Sequence, residues 1–228
     1  MKTGGTSFAV HHLGKAFDDR VTFPNDADDG NSYQLDASPY WRLDALRELS
    51  QERMSRVELI RAHYPFCAID LIPHEELVVM TVLRDPVERV ISYLKHCQTY
   101  HPHHADMSFD EIYDDPGWVD GFGTNHQTKL FSMTADDDPA YCYQPMVVDD
   151  ARLELAKANL ATLDLVGTQE RFDEFVAECG RRYGWPTERG GRHRESKPDR
   201  PSDDLIERIC MDNRIDLDFY DFARSIAC

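Results

Sequence analysis

The sequence has no apolar run approaching the roughly 20 residues that are needed to span a bilayer, and no signal peptide opens it. Its hydrophobic stretches, such as residues 77–83, are much shorter. These two absences predict a cytoplasmic protein without a membrane span.

The six cysteines are scattered, with no Cys-x-x-Cys pair and no tight grouping with histidine. Neither a zinc finger nor a disulfide framework is therefore predicted. The histidines His11 and His12 are adjacent and would splay around a helix. His101, His103 and His104 straddle a proline-containing loop with no evident partner carboxylate. We therefore predict no metal site and assign these histidines to the surface or to the edge of a substrate site.

Positive charge is scarce. The chain has 25 Lys and Arg residues and 42 Asp and Glu residues, which gives a formal net charge of -17. A chain of this charge is a poor electrostatic match for a nucleic-acid backbone or an anionic membrane surface. One segment departs from this balance. Residues 181–200 hold seven cations and three acids, while the rest of the chain holds 18 and 39. The segment is either a solvated loop or a flap that covers a multiply charged ligand.

Strand-like and helix-like segments alternate along the 228 residues, with no internal repeat. This length suits a single domain, residues 1–228, and the alternation predicts an α/β fold with a central parallel sheet flanked by helices. The predicted strands are residues 57–60, 77–83 and 163–166. The predicted helices are residues 6–17, 86–96, 151–161, 172–183, 203–212 and 219–226.

The first candidate site is the N-terminal run Lys2, Thr3, Gly4, Gly5, Thr6, Ser7, which precedes a predicted helix. Backbone N–H groups at a helix start bind phosphate, glycines allow close approach, and a lysine neutralises charge. It is no Walker A loop, because the lysine precedes both glycines. The alternative is a frayed N-terminus. A phosphate loop normally follows a buried strand, so we expect that the first strand is missing from the given start and that the natural chain begins upstream.

The second candidate is the run from Leu83 to Tyr93, in which a predicted buried strand ends at Arg84 and Pro86 opens a helix. Ligands of open α/β sheets bind at the carboxyl ends of strands, so Arg84 is placed to hold an anion, and Ser92 lies about two helical turns further on. The alternative pairs Arg84 with Asp85 and leaves Ser92 on a helix surface.

Together these two runs resemble the PAPS-dependent sulfotransferases, where PAPS is 3'-phosphoadenosine-5'-phosphosulfate. That superfamily carries a PKTGGTS loop for the 5'-phosphosulfate and an RDPxxRxxSxY segment for the 3'-phosphate. The first motif matches from Lys2 to Ser7, with Met1 in place of proline. The second matches at Arg84, Asp85, Pro86, Arg89, Ser92 and Tyr93.

Three further segments are similar to the branch that includes heparan sulfate 2-O-sulfotransferase and many bacterial members. Residues 61–66 resemble its GH-x-x-F segment, with Ala62 in place of glycine. Residues 125–128 resemble its NxQT segment, and residues 166–172 its VGxxERF segment. The resemblance thus extends through most of the chain and implies a P-loop-like three-layer fold.

The resemblance also implies the site. Lys2 and His63 are the predicted catalytic residues, with His63 as general base. The predicted PAPS-binding residues are Lys2, Thr3, Gly4, Gly5, Thr6, Ser7, Arg84 and Ser92, joined by Arg194, Ser196 and Lys197 of the basic segment. His126, Gln127 and Thr128 are predicted to bind the acceptor, and no metal is expected.

The implied reaction moves the sulfo group of PAPS to a hydroxyl or amine and releases 3'-phosphoadenosine-5'-phosphate, abbreviated PAP. Small molecules, glycans, glycolipids and peptides all remain open as acceptors, and the oligomeric state is not indicated. Two alternatives stay open, namely a nucleotide-binding module without turnover and a nucleoside-phosphate kinase. Binding of PAP separates the kinase from the other two, and sulfo transfer separates the enzyme from the module.

Overall fold

The computed structural model describes residues 8, 12–25, 38–74, 76–115, 119–137, 139–188 and 200–228. In these residues helices predominate and the strands are short and parallel, so the protein is of mixed α/β class. The α-helices are α1 (Gly14–Ala16), α2 (Leu43–Arg47), α3 (Gln51–Met54), α4 (Pro86–Tyr100), α5 (Phe109–Tyr113), α6 (His126–Ser132), α7 (Asp150–Leu160), α8 (Phe172–Tyr183), α9 (Asp203–Asp212) and α10 (Arg214–Ile226). Short 3-10 helices cover Phe66–Leu71, Pro102–His104 and Ala135–Asp137, and a π-helical turn covers Val119–Gly123.

Four strands form two parallel pairs within the described residues. Strand β1 (Thr22–Phe23) lies beside β2 (Leu59–Ile60), and β3 (Met80–Leu83) lies beside β4 (Leu165–Thr168). In the second pair Leu83 is opposite Thr168, so both strands end at the same edge.

The β3–β4 pair is covered by helices on both faces. Successive side chains of a strand point to opposite sides, so neighbouring residues of β4 pack against different helices. Val166 packs with the apolar face of α7 and α10, while Leu165 packs with α8. Gly167 also faces α8, and a Cβ at this position would lie 2.5 Å from the Phe175 ring. A glycine is therefore needed there for the helix to approach the sheet closely.

A second apolar cluster joins α4 to α5 and α9 through Val90, Leu94, Ile112 and Ile209, all of them fully buried. Helices α6, α7 and α10 pack against one another. This packing brings the starts of α4, α6 and α10 close to the carboxyl end of β3.

The predicted elements mostly exist, with shifted ends. Helices α8 and α9 have the predicted bounds. Helix α4 continues to Tyr100, because Cys97 is still buried and the next helix breaker is Pro102. Helix α10 begins five residues earlier than predicted. Strand β4 starts two residues late, since Asp164 bonds to the backbone of Val79 and closes the start of the pair.

The other predicted strands are shorter in the structure, with β2 reduced to Leu59–Ile60 and β3 to Met80–Leu83. Of the predicted helix over residues 6–17, the described residues are α-helical at Phe8 and at Gly14–Ala16, and residues 12–13 belong to a π-helical turn. No helix in the described part of the chain combines the length and the apolar character that crossing a membrane would require.

Candidate functional site

Arg84 directly follows the last residue of β3, and Asp85 caps the helix that begins at Pro86. The Asp85 carboxylate accepts a hydrogen bond from the Glu88 backbone N–H at 2.9 Å. Proline at the first helical position has a fixed φ and needs no backbone partner there, so this short sequence turns the chain sharply from strand into helix. Arg84 therefore lies at the carboxyl end of β3.

The Arg84 side chain is largely buried, with 16% of it exposed, and its Nη2 lies 3.5 Å from a carboxylate oxygen of Glu88. Asp85, which the alternative interpretation of the sequence paired with Arg84, caps α4 with its carboxylate. Burial lowers the pKa of Arg84, while the nearby carboxylates of Glu88 and Glu170 act in the opposite direction. A buried guanidinium of this kind gains from a further anionic partner.

Arg89, one turn into α4, is completely buried, and its Nε and Nη2 have no hydrogen-bond partner in the described part of the chain. Burial lowers its pKa, and the largest opposing electrostatic effect comes from Asp216 on α10. Arg84 lies close enough to repel it. Buried polar groups are rarely left without a partner, so these donors mark the first turns of α4 as a candidate site. Arg89 belongs to the RDPxxRxxSxY motif, but the motif alone predicted no binding role for it.

Ser92 follows Arg89 by three residues and is half-buried. Residues three apart lie on the same side of a helix, so Ser92 extends the face of α4 that carries Arg89.

Gln127 holds the backbone of Arg84 in place. Its side-chain oxygen accepts from the Arg84 N–H at 3.1 Å, and its side-chain NH2 donates to the Arg84 carbonyl at 2.9 Å. The amide thus makes the pair of hydrogen bonds that a neighbouring strand would make, at the residue that follows β3. Its preceding turn is made by Asn125, which has a left-handed φ of 42°.

Asp216, in the first turn of α10, accepts hydrogen bonds from the start of α6. It accepts from the backbone N–H groups of Gln127 at 3.0 Å and Thr128 at 2.7 Å, and from the Thr128 hydroxyl at 2.7 Å. In return the Asp216 N–H donates to the side chain of Asn125, whose own N–H donates to Asn213. These bonds tie α6 and the end of β3 to α10.

His126 is fully buried, with Nδ1 3.1 Å from the Gly121 carbonyl and with Nε2 unpaired among the described residues. Burial, with Lys129 and Arg89 nearby, holds its pKa well below 6.5. Gln127 and Thr128 are also buried and bonded to the protein. Gln127 and Thr128 thus position the backbone around the end of β3 and the start of α6. The contact of His126, Gln127 and Thr128 with an acceptor stays a prediction.

His63 lies in an aromatic stack. Its ring packs on Trp41 with centroids 4.3 Å apart, and Trp41 contacts Phe122, which in turn contacts the ring of His126. The His63 N–H donates to the Tyr40 carbonyl at 2.9 Å, which fixes the backbone beneath the ring. Burial holds the pKa of His63 well below 6.5. The imidazole is therefore neutral and able to accept a proton at neutral pH.

The interior beside α4 is positively charged. Among the described residues, the buried Lys, Arg, Asp and Glu side chains are Arg89, Lys129 and Asp216, two cations against one anion. The Lys129 ammonium donates to the Gly121 carbonyl at 2.6 Å. Together with Arg84, these cations form a basic centre in a chain whose net charge is -17.

A cavity of about 830 Å³ opens beside this centre, at the carboxyl end of β4. Its lining residues are Asp85, Thr168, Glu170, Arg171, Tyr220, Asp221, Arg224 and Ser225. Three carboxylates and two guanidinium groups share this surface, so the cavity itself is not cationic. The hydroxyl of Tyr220 donates to Glu170, and burial together with this bond raises its pKa.

The remaining predicted residues lie outside the described part of the chain. These are Lys2, Thr3, Gly4, Gly5, Thr6, Ser7, Arg194, Ser196 and Lys197. Among the predicted site residues that the structure describes, Arg84 and Gln127 are in direct contact through hydrogen bonds. His63 and His126 are connected by ring contacts through Trp41 and Phe122.

No protein-family model and no curated protein matches the chain.

Proposed function

We propose that the protein is a sulfotransferase that moves the sulfo group of PAPS to an acceptor hydroxyl or amine. The observation that carries the proposal is the pair of buried guanidinium groups, Arg84 and Arg89, at the point where β3 turns into α4. Both have burial-lowered pKa values, and Arg89 has donors without partners. A 3'-phosphate is a dianion with several acceptor oxygens, which suits two adjacent arginines.

A P-loop-like three-layer fold is part of the proposal. It is supported by the helices on both faces of β3–β4 and by the sharp strand-to-helix turn at Arg84 and Asp85. In such folds, ligands bind outside the carboxyl ends of the strands.

In the proposed reaction the acceptor oxygen attacks sulfur, its bond to sulfur forms, and the bond from sulfur to the phosphate oxygen breaks. PAP leaves with the electron pair. His63 takes the proton of the acceptor hydroxyl, and Lys2 stabilises the charge on the leaving oxygen. The backbone of residues 4–7 holds the 5'-phosphosulfate, while Arg84, Arg89 and Ser92 hold the 3'-phosphate. Positioning and charge stabilisation supply most of the rate, as in phosphoryl transfer.

Binding of PAP tests the proposal. We expect PAP to raise the unfolding temperature much more than 5'-AMP does, because only PAP carries the 3'-phosphate. At 100 times its dissociation constant a ligand adds about 2.7 kcal/mol to the free energy of unfolding. Thermal unfolding with each nucleotide, and with ATP and Mg²⁺ to represent a kinase, gives the comparison. Equal shifts from PAP and 5'-AMP would contradict the 3'-phosphate site, and a shift from ATP alone would favour a kinase.

A further inference from the structure

A cluster of three metal-binding side chains lies at the far end of α4 from Arg84. His103 and His104 belong to the 3-10 turn Pro102–His104, and Asp115 follows α5. One ligand atom from each of the three residues lies within 4.8 Å of those of the other two. No carboxylate near these histidines is evident from the sequence, because Asp115 is eleven residues away from His104 and only the folded chain brings the two together.

His104 is the buried member of the cluster. It is 8% exposed, and neither of its ring nitrogens makes a hydrogen bond within the described part of the chain. Its Nε2 lies 3.9 Å from a carboxylate oxygen of Asp115. Burying an imidazole without hydrogen bonds is costly, and coordination of a cation would use one of these nitrogens. His103 is exposed and its ring contacts that of His104, with the centroids 5.1 Å apart.

The surrounding segments hold the three residues in position. A capping box between Ser108 and Glu111 fixes the start of α5. At its other end Asp114 forms an ion pair with Arg208 of α9 at 2.7 Å, so this arginine is already neutralised.

The donor set indicates which ion fits. Two imidazoles and one carboxylate are borderline ligands that favour Zn²⁺ over Mg²⁺ or Ca²⁺, which prefer oxygen. In a tetrahedral zinc site with bonds of about 2.0–2.1 Å, ligand atoms lie about 3.3 Å apart. The 3.9 Å separation between His104 and Asp115 is thus close to what is needed. The exposed His103 side chain can rotate to complete the set.

We propose that His103, His104 and Asp115 bind a zinc ion that links the turn after α4 to the end of α5. With three protein ligands, the fourth coordination position is left to water. The ion stabilises this end of the molecule, and its site is separate from the proposed nucleotide site.

The test is a calorimetric titration of the reduced full chain with ZnCl2. We expect one equivalent of Zn²⁺ to bind. Since loss of even an outer-shell partner typically costs about 10- to 100-fold in metal affinity, loss of a direct ligand should cost at least about tenfold. His103→Ala and Asp115→Asn should each show this loss. His103 is exposed, so its replacement leaves the core intact.

His74→Ala is the matched control, because His74 is an exposed histidine outside the cluster. It should bind zinc as tightly as the wild-type chain does. The proposal is overturned if the wild-type chain binds no zinc. It is also overturned if both cluster variants keep wild-type zinc affinity, because the ion would then be bound by the thiols or elsewhere. A loss of zinc affinity in only one of the two cluster variants would overturn it as well. An equal loss in His74→Ala would also overturn it.

Discussion

Replacement of His63 by alanine is expected to lower turnover by about 100- to 10,000-fold, the usual cost of removing a general base. Two features of the structure bear on this proposed role. Its ring is held against Trp41 and its pKa is held well below 6.5 by burial, so it is neutral at physiological pH. An anionic sulfo group beside the ring would raise that pKa and make the imidazole a stronger base during transfer.

The pH dependence gives this prediction a second readout. A general base acts only when deprotonated, and the lowered pKa of His63 means that its ring stays deprotonated as the pH falls through 6.5. The decrease of kcat/KM at low pH should therefore set in below pH 6.5. This decrease should be absent from the pH profile of the residual activity of His63→Ala. His74→Ala, which changes an exposed histidine, should behave as wild type. Near-normal turnover in His63→Ala would remove it as the base and turn attention to His126 or a loop carboxylate.

Replacement of Asp216 by alanine is expected to lower the free energy of unfolding by about 3–5 kcal/mol, because it removes several buried hydrogen bonds to a charged group, each worth about 1.5–3 kcal/mol. Asp216 is fully buried and accepts hydrogen bonds from Gln127 and Thr128. Its loss leaves two backbone N–H groups without an acceptor and Arg89 without its compensating charge.

Asp218→Ala is the matched control, because Asp218 lies on the same helix and is exposed. It should change the free energy of unfolding by less than about 0.5 kcal/mol. Urea denaturation of both variants measures the difference. Similar stabilities for the two variants would show that the bonds from Asp216 do not hold α6 to α10.

The local structure could be predicted where the signals are local. The turn at Arg84 follows from a cap and a proline within three residues, and α8 and α9 follow from their apolar periodicity. Strand ends were less predictable, because pairing rather than hydrophobicity determines them. The apolar run at residues 77–83 becomes a strand only from Met80, where β4 lies opposite.

The candidate site was predictable only in part. Arg84 and Ser92 belong to a recognisable motif, but nothing in the motif indicates that Arg89 has donors without partners. The bond between Thr128 and Asp216 spans 88 residues, and no sequence pattern links them. Asp115 was missed as a partner of the histidines for the same reason. Such pairs depend on how helices pack, and a single sequence does not encode this in any local signal.

The most direct test of the basic centre is to measure both PAP affinity and stability in Arg89→Met. Methionine fills much of the volume of the arginine without its charge, and Asp216 keeps its three hydrogen-bond donors from Gln127 and Thr128. Replacing a whole buried ion pair by apolar residues is often neutral, whereas removing one charge leaves the other uncompensated, so the stability of the variant has to be measured beside its affinity.

We therefore predict that Arg89→Met weakens PAP binding at least about tenfold, because one charge-assisted hydrogen bond is worth about 1.5–3 kcal/mol. Its free energy of unfolding without nucleotide shows whether the variant is folded under the conditions of the titration. Calorimetric titration with PAP and urea denaturation provide the two values. Wild-type affinity for PAP combined with a clear loss of stability would contradict the proposed role, because Arg89 would then be a structural residue and not part of a phosphate site.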